Sequence, residues 1–193
     1  MILIVSGPLA EEKNGMLVIA WGVLPTLGLV GFVAIPFMFI ENPHVRMAAG
    51  YAWILLYQIL LLTTDLKAYV QASVSGGIFG AIFGFAGQMI VASALGDYLF
   101  FTGTRDKRKY SLVAIFVATN LVVGILIGAI PGWEAAKAQV SFAYCLVCLG
   151  STMLGGLLFV YFARGLDKNL AYLQAFGQNA LLAWLLAEAP SQV

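Results

Sequence analysis

Long, nearly uncharged apolar runs recur along this chain, broken only by short polar connections. "LVGFVAIPFMFI", "AWILLYQILLL", "IFGAIFGFAGQMIVASALG" and "LVAIFVATNLVVGILIGAI" are four of them. A helix needs ~20 such residues to cross a bilayer. The runs are continuous rather than alternating, so they predict helices and not the strands of a membrane barrel. Charged residues make up 10% of the chain, against ~25% in a soluble domain. With 62% hydrophobic residues and a mean hydropathy of +0.95, the chain reads as a polytopic membrane protein.

Six spans are predicted: Met16 to Ile40, Met47 to Thr64, Ile78 to Phe101, Ser111 to Ile130, Val140 to Ala163 and Leu173 to Ala189. They give an all-α bundle of about six transmembrane helices in one domain over 16–190, after a short extramembrane segment over 1–15. The connections "ENPHVR", "TDLKAY", "TGTRDKRK", "PGWEAAKAQ" and "RGLDKN" leave no room for a soluble domain. The net charge of +1 says nothing about nucleic acid, and no basic stripe suggests such a partner.

The cations are unevenly placed. Arg46, Arg105, Lys107, Arg108, Lys109, Arg164 and Lys168 fall on one side, and Lys13, Lys67 and Lys137 on the other. The richer side is expected in the cytoplasm, with both termini outside, in a cell membrane of the prokaryotic inner-membrane type. "MILIVSGPLAEEKNG" has no basic region before its short apolar stretch, so it is not a cleavable leader. An outside start without a leader fits a chain whose earlier spans are missing or separately encoded.

Within the third span, Gly76, Gly80, Gly84, Gly87, Val91 and Ala94 fall on one arc at about 100° per residue. Such a small-residue seam lets a neighbouring helix approach closely, as simple packing or as a cavity wall. Gln88 borders it. Asp97 is expected to partner the basic loop that follows. In the last span, Asn179 shares a face with Phe176, Ala180, Ala183 and Ala187, while Gln178 points away. Asn179 is either an interhelical clamp or part of a polar cavity. Gln58 and Asn120 complete the set of deep polar side chains, expected to bond between helices or to their own backbone. Pro25 and Pro36 should kink the first span. Trp21, Trp53, Trp133 and several tyrosines are expected at the membrane interfaces.

Groups for chemistry are few. Cys145 and Cys148 form a CxxC inside the fifth span, and His44 is the sole histidine. A four-ligand zinc site cannot be assembled from these, so no metal is expected. The two cysteines read as small core residues, and nothing local builds a Ser/His/Asp arrangement.

Three stretches carry a resemblance. "AFGQNALLAWLL" resembles the "GxNAL" segment of a bacterial multi-pass membrane family related to heparan-α-glucosaminide N-acetyltransferase. "WGVLPTLGLVGFVAIPF" resembles that family's "W-x-V-L-x-x-I-G-L" helix, and "SGGIFGAIFGFAGQMIVASALGDYL" is a weaker third match. Together they correspond to the family's C-terminal portion. The resemblance implies a part in acyl transfer to a sugar or envelope acceptor, with acyl-CoA as donor. It departs from the family at Gln178, where many relatives carry a basic residue. The family's N-terminal portion with its "SLDxxRG"-type segment and catalytic histidine is absent, so no role passes to His44. The chain alone is therefore expected to be inert and to need additional transmembrane helices or subunits. A non-catalytic subunit stabilising a larger membrane complex, or a transporter half, are the alternative readings.

Overall fold

The computed structural model describes residues 10–13, 16–19, 23–72, 76–97 and 107–165. Two compact units are distinguished, Met1–Leu154 and Gly155–Val193. Of the second, the description covers only the end of one helix. The predicted sixth span, with Gln178 and Asn179, lies outside the described residues.

Apart from one short hairpin the described elements are helical. Strands β1 (Ala10–Lys13) and β2 (Met16–Ile19) pair antiparallel, with Ala10 opposite Ile19 and Lys13 opposite Met16. Helices follow as α1 (Val23–Met38), α2 (Pro43–Thr63) and a short α3 (Leu66–Ala72). Next come α4 (Gly77–Gly96), α5 (Lys107–Gly128) and α6 (Phe142–Gly165). Among the described residues, three stretches are long and apolar enough to cross a membrane: Pro43–Thr63, Gly77–Gly96 and Tyr110–Gly128. Pro25–Met38 and Phe142–Leu158 are shorter apolar helical stretches.

Several expectations need correction. The first span does not begin at Met16, because Met16–Ile19 pairs as a strand and the helix starts at Val23. In sequence the pair Asn14-Gly15 separates the two strands, a common hairpin signal. Pro25 falls in the first helical turn, where its missing N–H costs no hydrogen bond, so only Pro36 lies inside α1. The connection "TDLKAYVQA" is not a plain loop. It forms α3, which buries Val70 completely.

Helix α2 shows how local chemistry sets its ends. Asn42 caps it, its Oδ1 accepting the His44 N–H at 2.9 Å, and Pro43 follows as a preorganised first residue. At the other end the Thr63 and Thr64 hydroxyls donate to Ile59 O and Leu60 O, at 2.8 and 2.7 Å, and the Thr64 backbone is extended. The 21 residues between span ~31 Å, close to a hydrocarbon core of ~30 Å.

The core centres on α2 and α4. Ile54, Tyr57, Leu61, Val91, Leu95 and Cys145 are buried there. The two helices meet where neither has a side chain: a Cβ at Gly50 would lie 3.0 Å from Gly87 O, and one at Gly87 would lie 3.2 Å from Gly50 O. Helices α5 and α6 make a second close crossing. Gly124 faces Leu146 and Val147, and Gly150 faces Leu121.

Candidate functional site

Helix α4 is not uniform. It opens on Gly76 and Gly77 with positive φ of 78° and 57°, and Gly80–Phe85 winds as a π-helix before α geometry resumes at Ala86. A π segment loosens the regular ladder, and side chains from other helices engage its carbonyls. The Trp53 indole N–H donates to Ile82 O at 2.9 Å, and the Cys145 thiol lies 3.9 Å from Gly84 O. Trp53 is thus an inward donor stacked on Phe83, in the middle of α2, and not an interfacial belt residue.

The altered winding also divides the glycine seam between two neighbours. Added Cβ atoms at Gly76 and Gly84 would meet Val140 side-chain carbons at 3.0 and 2.5 Å. One at Gly87 would meet Ile54 Cγ1 at 2.3 Å. Gly80 lies buried within the π turn itself. The residue that fills the first notch, Val140, is fully buried and holds φ at 51°, a left-handed conformation that β-branched residues avoid. Its place is over-determined by the surrounding loop.

That loop, 129–141, is a network. Gln58 is 2% exposed and clamps both ends, with Nε2 donating to Gly132 O at 3.1 Å and Oε1 accepting the Phe142 N–H at 2.9 Å. The Tyr57 hydroxyl donates to Gln139 O at 2.9 Å. Ser141 Oγ donates to Glu134 O and accepts the Ala136 N–H. The Gly132 N–H donates to Glu134 Oε1 at 3.0 Å, which with a further backbone hydrogen bond holds this carboxyl below its ordinary range.

The remaining deep polar residues are dispersed. Asn120 on α5 accepts from the Tyr51 hydroxyl at 2.8 Å and donates to Phe116 O at 2.9 Å. Gln88 approaches the Cys145 thiol, while its buried Nε2 makes no hydrogen bond of normal geometry. Cys145 is fully buried and its thiol donates to Val140 O at 3.4 Å. Gln58, Gln88 and Asn120 hence serve separate contacts. The structure does not bring them into one cavity. Gly50 and Val140 escaped the sequence reading. Gly50 is a lone glycine in an apolar run, and Val140 carries no sign of its backbone conformation.

Arg46 was counted among the connection cations. It lies instead inside α2, 5% exposed, and pairs with Asp97, the residue just after Gly96. A carboxylate at a helix C-terminus faces the negative end of the dipole, so a buried cation beside it compensates. The guanidinium also donates to Met38 O, at 3.4 Å, where α1 ends. Asp97 therefore has a cation partner on α2, and the basic side chains of the loop lie outside the described residues.

A groove among the described residues is open to a ligand. About 560 Å³ in volume, it runs along α2, α5 and the start of α6. His44, Tyr51, Leu55, Phe116, Asn120 and Phe142 mark its extent. The Tyr51–Asn120 pair crosses its middle and His44 stands at one end. Among the described residues no group of three or more His, Cys, Asp or Glu side chains converges as a metal site would require.

These features define a helical protein with three stretches of membrane-crossing length among the described residues. No family model, curated protein or solved structure matches the chain.

Proposed function

We propose that the chain is the six-helix, membrane-embedded part of an acyltransferase-like assembly, supplying walls and packing surfaces while further helices bring the acid–base machinery. The reading places it in a prokaryotic inner membrane with both termini outside. The assembly passes an acyl group, from a CoA thioester, to a sugar or envelope acceptor. One observation carries the division of labour. Among the described residues, the buried polar side chains Arg46, Gln58, Asn120 and Ser141 are all engaged in holding this fold's own helices and loops. Acyl transfer usually needs a base or nucleophile held against the reacting atoms.

A non-catalytic subunit is the second reading, favoured by the two glycine-lined crossings, which make this a close-packed helical body. The two separate experimentally. Purified chain supplied with acyl-CoA and simple sugar acceptors should show no turnover. Adding further transmembrane helices, in cis or in trans, should restore acyl transfer. Absence of activity in both forms favours the subunit. Turnover by the isolated chain, lost in His44→Ala, overturns the division of labour. Impermeant labelling of single cysteines at Lys107 and Lys137 tests the orientation, the first staying protected and the second reacting.

A further inference from the structure

Helix α4 carries two incompatible instructions. Its sequence sets Gly76, Gly80, Gly84 and Gly87 on one arc, and that arc is continuous only if the helix winds regularly. Its structure instead takes Gly80–Phe85 through a π turn, which holds one residue more than an α turn. The extra residue displaces everything after it by one position relative to regular winding. It therefore decides which member of 86–97 meets each neighbouring helix.

Side chains from outside α4 hold the π winding in place. In a regular helix the Ala86 N–H would donate to Ile82 O, four residues back. Here it bonds Ala81 O and Phe83 O, and the Trp53 indole takes the freed Ile82 carbonyl at 2.9 Å. Phe83 is stacked between the rings of Trp53 and Tyr57. Val140 fills the notch over Gly84, so nothing larger than glycine can turn into it.

This arrangement has costs on both sides. The π register leaves Val140 in a left-handed backbone conformation and the Gln88 Nε2 buried without a hydrogen bond. Regular winding would relieve Val140 and return Ile82 O to the helix ladder. It would also bring Ala86 into the place of Gly87, where a methyl group meets Ile54, and draw Asp97 off Arg46. The opposing terms are of one size, as a bistable element requires.

We propose that α4 is a two-register helix in which Gly80–Phe85 rewinds between π and α. In the α register 86–97 turn by about 100° and advance by one residue, so that Ala86, Gln88 and Gly96 take the places of Gly87, Met89 and Asp97. Val140 is the latch at one end. The Arg46–Asp97 pair responds at the other, thirteen residues or ~20 Å beyond Gly84. Withdrawing the loop 129–141 from the notch thus breaks an ion pair at the opposite end of the helix. The device does not depend on the acyl-transfer reading, which could fail without affecting it.

The test is oxygen accessibility of single spin labels placed along 86–96 of the full chain in lipid nanodiscs. Met89 is exposed and Ile90 fully buried, so in the parent protein a label at 89 should be more accessible than one at 88. V140A and W53F, which remove the latch and the Ile82 donor, should each reverse the 88:89 ratio. I54A, which makes room for Ala86 at the crossing, should do the same by a third route. V140T keeps the shape of the latch and should keep the parent pattern. Coupling between two ends must be reciprocal. D97N should therefore speed amide exchange at Gln139 and Ser141 by about fivefold or more. N120A, which breaks the Tyr51–Asn120 bond instead, should leave those amides unchanged. A ratio that stays in the parent register in V140A, W53F and I54A alike overturns the proposal, whatever happens to stability. So does equal acceleration of the loop amides by D97N and N120A.

Discussion

Replacing Gly87 by alanine tests the α2–α4 crossing. An alanine Cβ would sit 2.3 Å from Ile54 Cγ1 and 3.2 Å from Gly50 O. Real carbon contacts lie near ~3.5–4.0 Å, so more than an ångström must be found. Ile54 cannot readily provide it. The residue is fully buried, and its β-branched side chain is confined to one χ1 rotamer in a helix. The alternative is to separate the helices at the point where both lack side chains, loosening Val91 and Leu95 as well. Overpacking of this kind costs ~1–3 kcal/mol, while alanine for glycine in a helix returns up to ~1 kcal/mol. The net expectation is a loss of about 1–2 kcal/mol, read by reversible unfolding in mixed micelles. Gly31→Ala is the control, since nothing lies within 4 Å of the added carbon, and it should be neutral or stabilising. Ile54→Ala is destabilising alone through the cavity it leaves. It should nevertheless suppress much of the Gly87→Ala cost, giving a non-additive cycle. If Gly87→Ala behaves like Gly31→Ala, or if the two changes at the crossing simply add, the close-approach reasoning is wrong.

Gln58→Leu should destabilise by ~1–3 kcal/mol, because it strands the Phe142 N–H and the Gly132 carbonyl together. Amide exchange would localise the effect to 129–142, and a loss spread evenly over the helices would contradict the clamp. For Glu134 the sign follows from linkage. A carboxyl held below its ordinary value stabilises the loop above the unfolded-state value and loses that contribution as pH falls through the folded one. The Gly132 amide should therefore be protected at neutral pH and exposed in acid, and Glu134→Gln should remove the pH dependence. Protection that does not change with pH would exclude the carboxylate as its source.

The sequence alone determined the helical, bilayer-length character of the chain. Hydropathy over ~20 residues integrates many side chains, and no single contact can reverse it. It also marked Gln58 and Asn120 as residues that had to find partners, because buried amides in apolar runs cannot go unbonded at low cost. Which partners they found was beyond it. Gln58 bonds across 74 and 84 positions of sequence, and such separations leave no local trace. The glycine seam shows the same boundary. Glycine spacing predicted a close approach, but the wheel assumed regular winding, and the π turn at Gly80–Phe85 sends Gly84 toward Val140 and Gly87 toward Ile54. Arg46 was legible as a charge and misplaced as a solvated one. Its burial depends on Asp97 arriving from a helix 51 residues away. Hydrophobic length is a property of each segment by itself, whereas helix winding, ion-pair choice and the groove beside Tyr51 arise only when segments meet.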